Sequence, residues 1–557
     1  MGFDDSPSTM DRRGFLRTGA GVVLAGAFGG GVLSTVAGCG TEGSADKVSS
    51  AADVKLPASV PYRGPKPDIA ATADGVPAAF YNYPKPQRVF DTPPLKNEHL
   101  TAITNVFGPP PPDRASNPAW RAIEKRLGAR VDITSVSSAD YETKLNTVIA
   151  GGKLPDIMLY DGAGISNLPR FLESTCADLT PLLGGDRAKD FPNLAMIPRT
   201  VWETCTQAGK LYFLPIPRNI VGGSGFYNAT LFEGAGVTDT GTVKSADDFL
   251  GVLKELTRPK QNRWALGSTN FGTTPFHHIF GTPCNWQLSG GKLVKDYETD
   301  EYKATLEFLV KVHRAGCFVP GSEGWTKQQM MSAFQSGKVA MIYDGLPAYA
   351  GPTGYFQMLP KTHKGYRAKP FIPFGHAGGK PVTWKDNIAF GWVMLAKASE
   401  KRLRTVLTAC DFLAAPFGTE EYLLLNYGVD GTDYRMDGNS NPVLTAKGDQ
   451  DTLVPWKFLS APSQVVYDPT SRDYVDIVHD AYAKLVPTAV PDPTETLYSP
   501  TDGSKGATLS QSVSDTVTSI IAGRKPMSAF DDAVSAWRSG GGDQIRKEYE
   551  QALAKRK

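Results

Sequence analysis

The side chains able to carry chemistry are scattered along this 557-residue chain rather than gathered in a known catalytic signature. His277 and His278 are adjacent; on a strand their rings would point to opposite faces, which makes a poor metal clamp. No HExxH occurs, so a zinc protease would lack its ligands and its base. GGSGF, Gly222–Phe226, lacks the GxSxG spacing that presents a nucleophilic serine, so Ser224 has no such elbow. SGKV, Ser336–Val339, lacks both the earlier glycine and the closing Ser or Thr of a phosphate loop. Asp437, Asn439 and Asn441 alternate as calcium ligands do, but Pro442 replaces the turn glycine and no spaced glutamate follows, so DGNSN reads as a polar turn. The 57 acidic residues permit many carboxylate pairs, and glycoside hydrolysis depends on a separation that only three dimensions decide. The reading is of a chain with no catalytic residue, no metal site and no cofactor. What remains are isolated planar and aromatic groups in polar loops or at strand ends. They are Asp161 closing DIMLYD, Arg218 in PIPRN, Trp286 in CNWQLSGG, Trp325 in SEGWTKQQ, Asp344 closing VAMIYD, Trp384 and Asp386 in VTWKDN, and Trp392 in AFGWVML. Carboxylates accept hydrogen bonds, guanidinium donates them in a fork, and indole offers a flat apolar face, which is the equipment of binding.

The elements that must position these groups begin near Leu100. LTAITNVFG is rich in β-branched and apolar residues and predicts a strand. NPAWRAIEKRLG places Trp120, Ile123 and Leu127 on one helical face, with Gly128 as a stop. ARVDITSV, YETKLNTVIAGG and PDIMLYDG continue as strand, helix and strand. This β-α-β-α-β order predicts a parallel sheet covered by helices, whose ligands bind outside the carboxyl ends of the strands. The loop GPPPPDRASN and Asp161 fall there. Further along, SADDFLGVLKELTRP, YKATLEFLVKVHRAG and EKRLRTVLTACDFLAA predict helices, KVAMIYDG and NIAFGWVMLA strands, and the tail two helices broken at Gly540–Gly542. Gly391 before Trp392 leaves room for a ligand to approach the backbone. Trp120, Trp202 and Trp537 sit on apolar helical stripes and predict core.

At the front, Arg12 and Arg13 precede an uncharged, glycine-rich run from Gly19 to Ala37, the layout of an export signal rather than of a permanent span. RRGFL resembles a twin-arginine address. VAGC resembles a lipobox, which implies lipid attachment at Cys39. Residues 40–98 carry Pro57, Pro61, Pro65, Pro67, Pro77, Pro84, Pro86, Pro93 and Pro94 and read as an extended linker lifting the body off the membrane. After Ala37 no stretch of 18 apolar residues occurs, so the mature body is expected to be soluble. A formal charge of +2 with mixed signs argues against nucleic acid as a partner. Beyond Cys39 stand Cys176, Cys205, Cys284, Cys317 and Cys410. An odd number leaves at least one free, and 176 with 205 or 284 with 317 are the pairings to weigh.

Five segments, in order, resemble the extracellular solute-binding lipoproteins of carbohydrate ABC importers (family 1 solute-binding proteins), above all the large oligosaccharide-binding subgroup. GGKLPDIMLYDG is similar to that family's G..PDI strand, GKLYFLPIPRN to its turn into Y.LP, and SAFQSGKVAMIYDG to its F..GK.AM unit. NYGVDGTDY with NPVLTAKG resembles the subgroup's GVEG..Y and VLT..G, and AWRSGGGDQIRKEYEQAL its closing helices. One departure is FYNATLFEGAGV, with Asn228 and Ala229 where the family often has a basic residue and Asp, so no ligand contact is carried over there.

The resemblance implies an α/β, two-lobed periplasmic-binding-protein-like fold of type II with ligand held between the lobes. It implies a signal over 1–39 and a linker over 40–98. Lobe one would comprise 99–227 and 345–415, lobe two 228–344 and 416–557, with crossings near Tyr227 and Asp344 and a third before the tail. It further implies a monomeric, lipid-anchored receptor on the outer face of the cell membrane that captures a neutral carbohydrate and delivers it to an ABC permease. Asp161, Arg218, Trp286, Trp325, Asp344, Trp384, Asp386 and Trp392 would hold the sugar. The alternatives are a secreted glycoside hydrolase and a surface sensor of the same fold.

Overall fold

The computed structural model describes residues 54–554, apart from 163, 166, 208, 270–271, 352–353, 386–387 and 496. Arg12, Arg13, Cys39 and Asp386 lie outside the described residues. Eight strands frame the site: β1 (Glu98–Val106), β2 (Ala129–Ser137), β3 (Ile157–Tyr160), β4 (Phe213–Pro217), β5 (Gly223–Asn228), β6 (Met341–Gly345), β7 (Ala368–Pro370) and β8 (Ala389–Leu395). The first sheet runs β2-β1-β3-β8-β4. β1 is parallel to β2 and β3, whereas β8, arriving from much later in the chain, inserts antiparallel between β3 and β4. The alternation of helix and strand read from the sequence is present. Helix Pro118–Leu127 is capped by the Asn117 side chain, which accepts from the Trp120 N–H at 2.9 Å. It ends at Gly128, whose φ of +79° and contact with the Leu95 carbonyl exclude a Cβ. Around this sheet packs one apolar core that includes Leu100, Ile103, Leu159, Trp202, Leu214, Val393, Leu407 and Phe412.

The second sheet, β6-β5-β7, is antiparallel. Successive side chains on a strand face opposite ways, and here each face has its own core. Tyr227 and Met341 join Phe249, Phe276 and Phe371 on one face. Phe226 and Ile342 join Phe334, Tyr355 and Tyr474 on the other. The closing helices Ser528–Trp537 and Asp543–Ala554, broken where Gly541 leaves helical geometry, complete the first of these two cores.

These cores relocate the lobe boundaries. Leu425, Val454, Trp456 and Leu459 pack in the first core, so lobe one extends to about residue 461 rather than ending at 415. β5, β6 and β7 all lie in lobe two, so the crossings fall at 218–222, between β7 and β8, and at 461–465, not at Tyr227 and Asp344.

The proline-rich segment is no spacer over its described part. Val54 and Leu56 are buried in lobe one, where Val60 N–H donates to the Ala195 carbonyl. Val76 and Ala79 are buried in lobe two, and Tyr81 donates to Asp476 at 2.6 Å. The chain then returns to lobe one, where the Val89 and Phe90 N–H groups donate to the buried Glu421 at 3.1 and 3.2 Å. Proline stiffens such a strap and removes donors that a surface groove need not satisfy, while the apolar residues between prolines supply the packing. Asn441, in the DGNSN turn, accepts from the Tyr83 N–H at 2.9 Å and from the Tyr467 hydroxyl at 2.9 Å. Asp437 accepts the Asn439 and Asn441 N–H groups, so its carboxylate closes a polar turn as read.

Neither weighed pairing, 176 with 205 or 284 with 317, forms a disulfide. Burial pushes the Cys176 and Cys410 thiols up to about 12, which leaves them inert. Among the described residues no helix is long and apolar enough to cross a membrane, and no group of three or more His, Cys, Asp or Glu is placed to hold a metal ion.

Candidate functional site

The carboxyl ends of β1, β3 and β4 and the start of β8 share one edge of the first sheet, and that edge carries the densest set of polar and aromatic groups. Asn105 on β1 is fully buried and donates from Nδ2 to the Asp161 carboxylate at 2.7 Å, fixing its orientation beyond β3. Trp392 on β8 stands opposite Tyr160 of β3, with ring centres 6.0 Å apart, and its indole N–H donates to Thr204 at 3.0 Å. Phe213 stacks on Tyr160 at 5.8 Å and lies 6.3 Å from Trp392, so the three rings form one cluster. The glycine before Trp392 has a reason other than ligand access: a Cβ at Gly391 would lie 2.9 Å from the Tyr160 carbonyl oxygen, so glycine lets β8 seat against β3.

Arg218 begins the first crossing, and its N–H donates to the Ile388 carbonyl of the second at 2.8 Å, so two crossings are tied at this edge. Its guanidinium lies 4.5 Å from the centre of the Phe390 ring. Phe390 in turn stacks on Phe458 at 4.7 Å, and the exposed Phe107 meets both edge-on at 5.8 and 5.9 Å. Asn219 donates to the Tyr482 hydroxyl of lobe two at 3.0 Å. Burial, with smaller contributions from Asp161 and from Tyr498 in the chain beyond the third crossing, raises the Tyr160 phenol. The Asn219–Tyr482 bond brings lobe two beside this edge.

Trp384, beside the second crossing, donates to the Thr282 carbonyl at 2.8 Å and meets His278 edge-on at 5.2 Å. The histidines lie on helix Thr274–Phe280, not on a strand. Burial pulls His278 down to about 3, so it stays neutral, and its buried Nε2 has no hydrogen-bond partner among the described residues.

Other expectations are redirected. Trp286 is buried in a lobe-two core, 5.9 Å from Trp537 and 6.0 Å from Tyr549, because its strand is covered by the closing helices. Asp344 is also buried. Its carboxylate accepts from the Tyr355 hydroxyl at 2.7 Å and from the Gly345 N–H at 2.7 Å, and pairs with Lys327 at 2.5 Å, so it anchors lobe two internally. Trp325 is half-buried before helix Lys327–Gln335, with Lys338 5.0 Å from its ring centre, and its contacts are those of the lobe-two core. Sequence reasoning missed Asn105, Tyr160, Phe390 and Phe458. A buried asparagine ending an apolar strand was a usable signal; the aromatic column was not, because Phe107, Phe390 and Phe458 come from three distant segments.

Arg218 and Asn219 also line a cavity of about 540 Å³ with Tyr62, Phe80, Pro198 and Val465. Its walls are mainly Pro, Ala, Val and Ile from the strap, lobe one and the crossings. Asp74, Lys385, Ser463 and Gln464 add polar groups to these walls.

Two α/β lobes, one mixed sheet with an inserted antiparallel strand, and three crossings beside a polar aromatic edge define a periplasmic-binding-protein-like fold of type II. A model of the family described as bacterial extracellular solute-binding protein matches residues 112–422. The polygalacturonan/rhamnogalacturonan-binding protein YtcQ of Bacillus subtilis is 26% identical over 479 residues, 80% of this chain and 89% of its own. Lipoprotein LipO of the same organism is 24% identical, over 81% of this chain and 91% of its own. A solved HMO-binding, ABC-transporter-associated solute-binding protein from Bifidobacterium longum infantis superposes with a TM-score of 0.62 at 15% identity, covering 82% of this chain and 99% of that one. The chain belongs to the bacterial extracellular solute-binding protein family, whose members bind solutes rather than transform them.

Proposed function

We propose that this protein is a lipid-anchored extracellular receptor that captures a carbohydrate, an oligosaccharide in preference to a single sugar, and hands it to the permease of an ABC importer. The observation that carries the reading is the sheet edge beside the crossings. Asp161 held by Asn105 accepts hydroxyl protons, Arg218 donates in a plane, and Trp392 and Phe390 offer flat faces, all opposite lobe two. Closure about the crossings would desolvate these groups around the guest, and opening would release it unchanged. Family membership and the binding activity in YtcQ's name support the same class. Asp161, Arg218, Trp384 and Trp392 are retained as ligand contacts, with Asp386 beside Trp384 in the sequence. Trp286, Trp325 and Asp344 are left out because their surroundings belong to the lobe-two cores.

Thermal-shift and calorimetric titration of the purified chain against an oligosaccharide panel tests this: one-to-one binding with a raised melting temperature and no product is expected. Chain-shortening of an oligosaccharide would favour the hydrolase instead. Anchoring at Cys39 and export through Arg12 and Arg13 are part of the proposal, and kinship with a protein named as a lipoprotein supports them. Loss of lipid labelling in Cys39→Ala and cytoplasmic retention of Arg12→Lys/Arg13→Lys are the expected results. Light scattering should show a monomer.

A further inference from the structure

We infer that the site has a second, outer sugar subsite whose platform is the open face of Phe107, so that the guest is a chain of two or more sugar units with the C–H face of one of them laid on that ring. The inference rests on the carbohydrate reading above and deepens it by naming a residue that reads chain length.

Phe107 is the most exposed large apolar side chain among the described residues, at 65%. It directly follows β1, and the Ser138 N–H fixes the preceding residue by donating to the Val106 carbonyl at 2.9 Å. Phe390, on β8, stands two residues before Trp392, which pairs with Tyr160, the last residue of β3. In the sheet β3 lies between β1 and β8. Phe107 and Phe390 therefore meet, 5.8 Å apart, across the space beyond the end of β3, on the side to which the chain continues as Asp161. The register of β8 against β4 slips between Ala389 and Gly391, so Phe390 is the extra residue of a bulge, a device that re-aims a side chain. Two strand residues advance up to about 7 Å. The outer rings thus stand beside the group formed by Asp161, Tyr160 and Trp392, not on top of it.

The ring geometry leaves Phe107 an open face. Phe390 and Phe458 stack at 4.7 Å and 26°, and Phe107 stands nearly perpendicular to both, at 74° and 72°, with centres 5.8 and 5.9 Å away. It caps the rim of the stack. That contact takes up one face at most, and the exposure of the residue leaves the other to solvent. The platform is also stiff. Pro109, Pro110, Pro111 and Pro112 follow Gly108 and restrict the backbone, and beyond them Arg114 donates to the buried Glu124 at 2.6 Å. A guest settling on such a ring has little freedom left to remove. The face of a pyranose is a layer of C–H groups, and laying it on Phe107 takes apolar surface out of water without requiring a hydrogen bond. Phe107 carries no polar side-chain atom, so the outer subsite selects for a flat face and for chain length, while the reading of hydroxyls stays with the inner group.

The test is calorimetric titration of the full chain in detergent with gluco-, manno-, galacto- and galacturono-oligosaccharides of one to four units. In the series that binds, the affinity gained from the shortest to the longest member should fall roughly tenfold in Phe107→Ala, while the shortest binder keeps its affinity within about twofold. Phe107→Trp should keep the gain, and Phe107→Leu, apolar but not flat, should lose most of it. Unchanged melting temperature of each variant without ligand shows that folding is intact. If Phe107→Ala weakens every length equally or none, or if a single sugar binds as tightly as its oligomers, the outer subsite falls while the carbohydrate reading stands. If no member of any series binds, the carbohydrate reading falls and the subsite with it.

Discussion

Asp411 offers a quantitative check on how lobe one holds the wall of its hinge cavity. It lies on helix Glu400–Leu413, is 3% exposed, and its Oδ1 accepts the N–H groups of Asn193 at 2.8 Å and Leu194 at 2.9 Å. Those residues open the segment that continues to Met196 and Pro198 in the cavity wall. Burial raises the carboxyl to about 7 despite the two backbone donors. The folded state therefore holds the proton more tightly than the unfolded chain does. The resulting stability is fully present below about pH 4, declines between about pH 4 and pH 7, and is lost above. A shift of about three units corresponds to roughly 4 kcal/mol. At about 2 cal/mol/K of unfolding entropy per residue, that is about 4 °C in Tm if the whole body melts together, or about 8 °C if lobe one melts alone. Asp411→Asn keeps an acceptor at Oδ1 and removes the titration. Scanning calorimetry of both proteins from pH 4 to pH 8 should show the variant gaining that amount relative to wild type as pH rises. A difference that stays constant with pH, or that shrinks, would refute a neutral Asp411 in the native state.

Glu298 is 2% exposed; burial pushes its pKa up, but Arg546, the Lys295 N–H and Arg538 more than offset this and hold it below the usual value. Its stability is present above about pH 4.5 and lost as pH falls through the lowered folded value, and Glu298→Gln should cost about 3 kcal/mol or more by denaturant titration because Arg546 loses its buried partner. Gly391→Ala should cost about 1–3 kcal/mol and weaken sugar binding, since its Cβ would press on the Tyr160 carbonyl at 2.9 Å; unaltered stability would show that β8 can shift freely. Trp392→Ala should reduce oligosaccharide affinity by roughly tenfold in calorimetry, with Trp392→Phe intermediate, because the ring face is lost along with the bond to Thr204.

The helices and strands that carry the fold were legible because their signals are local. Asn117 and Gly128 bracket one helix, Ser245 caps another by accepting from the Asp248 N–H, and Gly540–Gly542 separate the last two. Asp161 and Trp392 were legible as site candidates because strand-end position is also local. Trp286 was not separable from them: a tryptophan in a polar loop looks the same whether a sugar or a distant helix covers it, and here Trp537 and Tyr549 do. Asp344 follows the same logic, since Tyr355 and Lys327 claim its carboxylate only once the lobe has folded.

The sequence by itself determined the alternation of elements, the family likeness, the absence of known catalytic spacings and the residues ending each strand, because each of these is encoded within a few neighbouring positions. Tertiary structure alone decided that the proline-rich segment straps both lobes, that the chain leaves lobe one at 218–222 and again at 461–465, and that Phe107, Phe390 and Phe458 gather in one aromatic column. Those outcomes depend on which apolar faces find each other across hundreds of residues, and burial has no sequence period that names its partner.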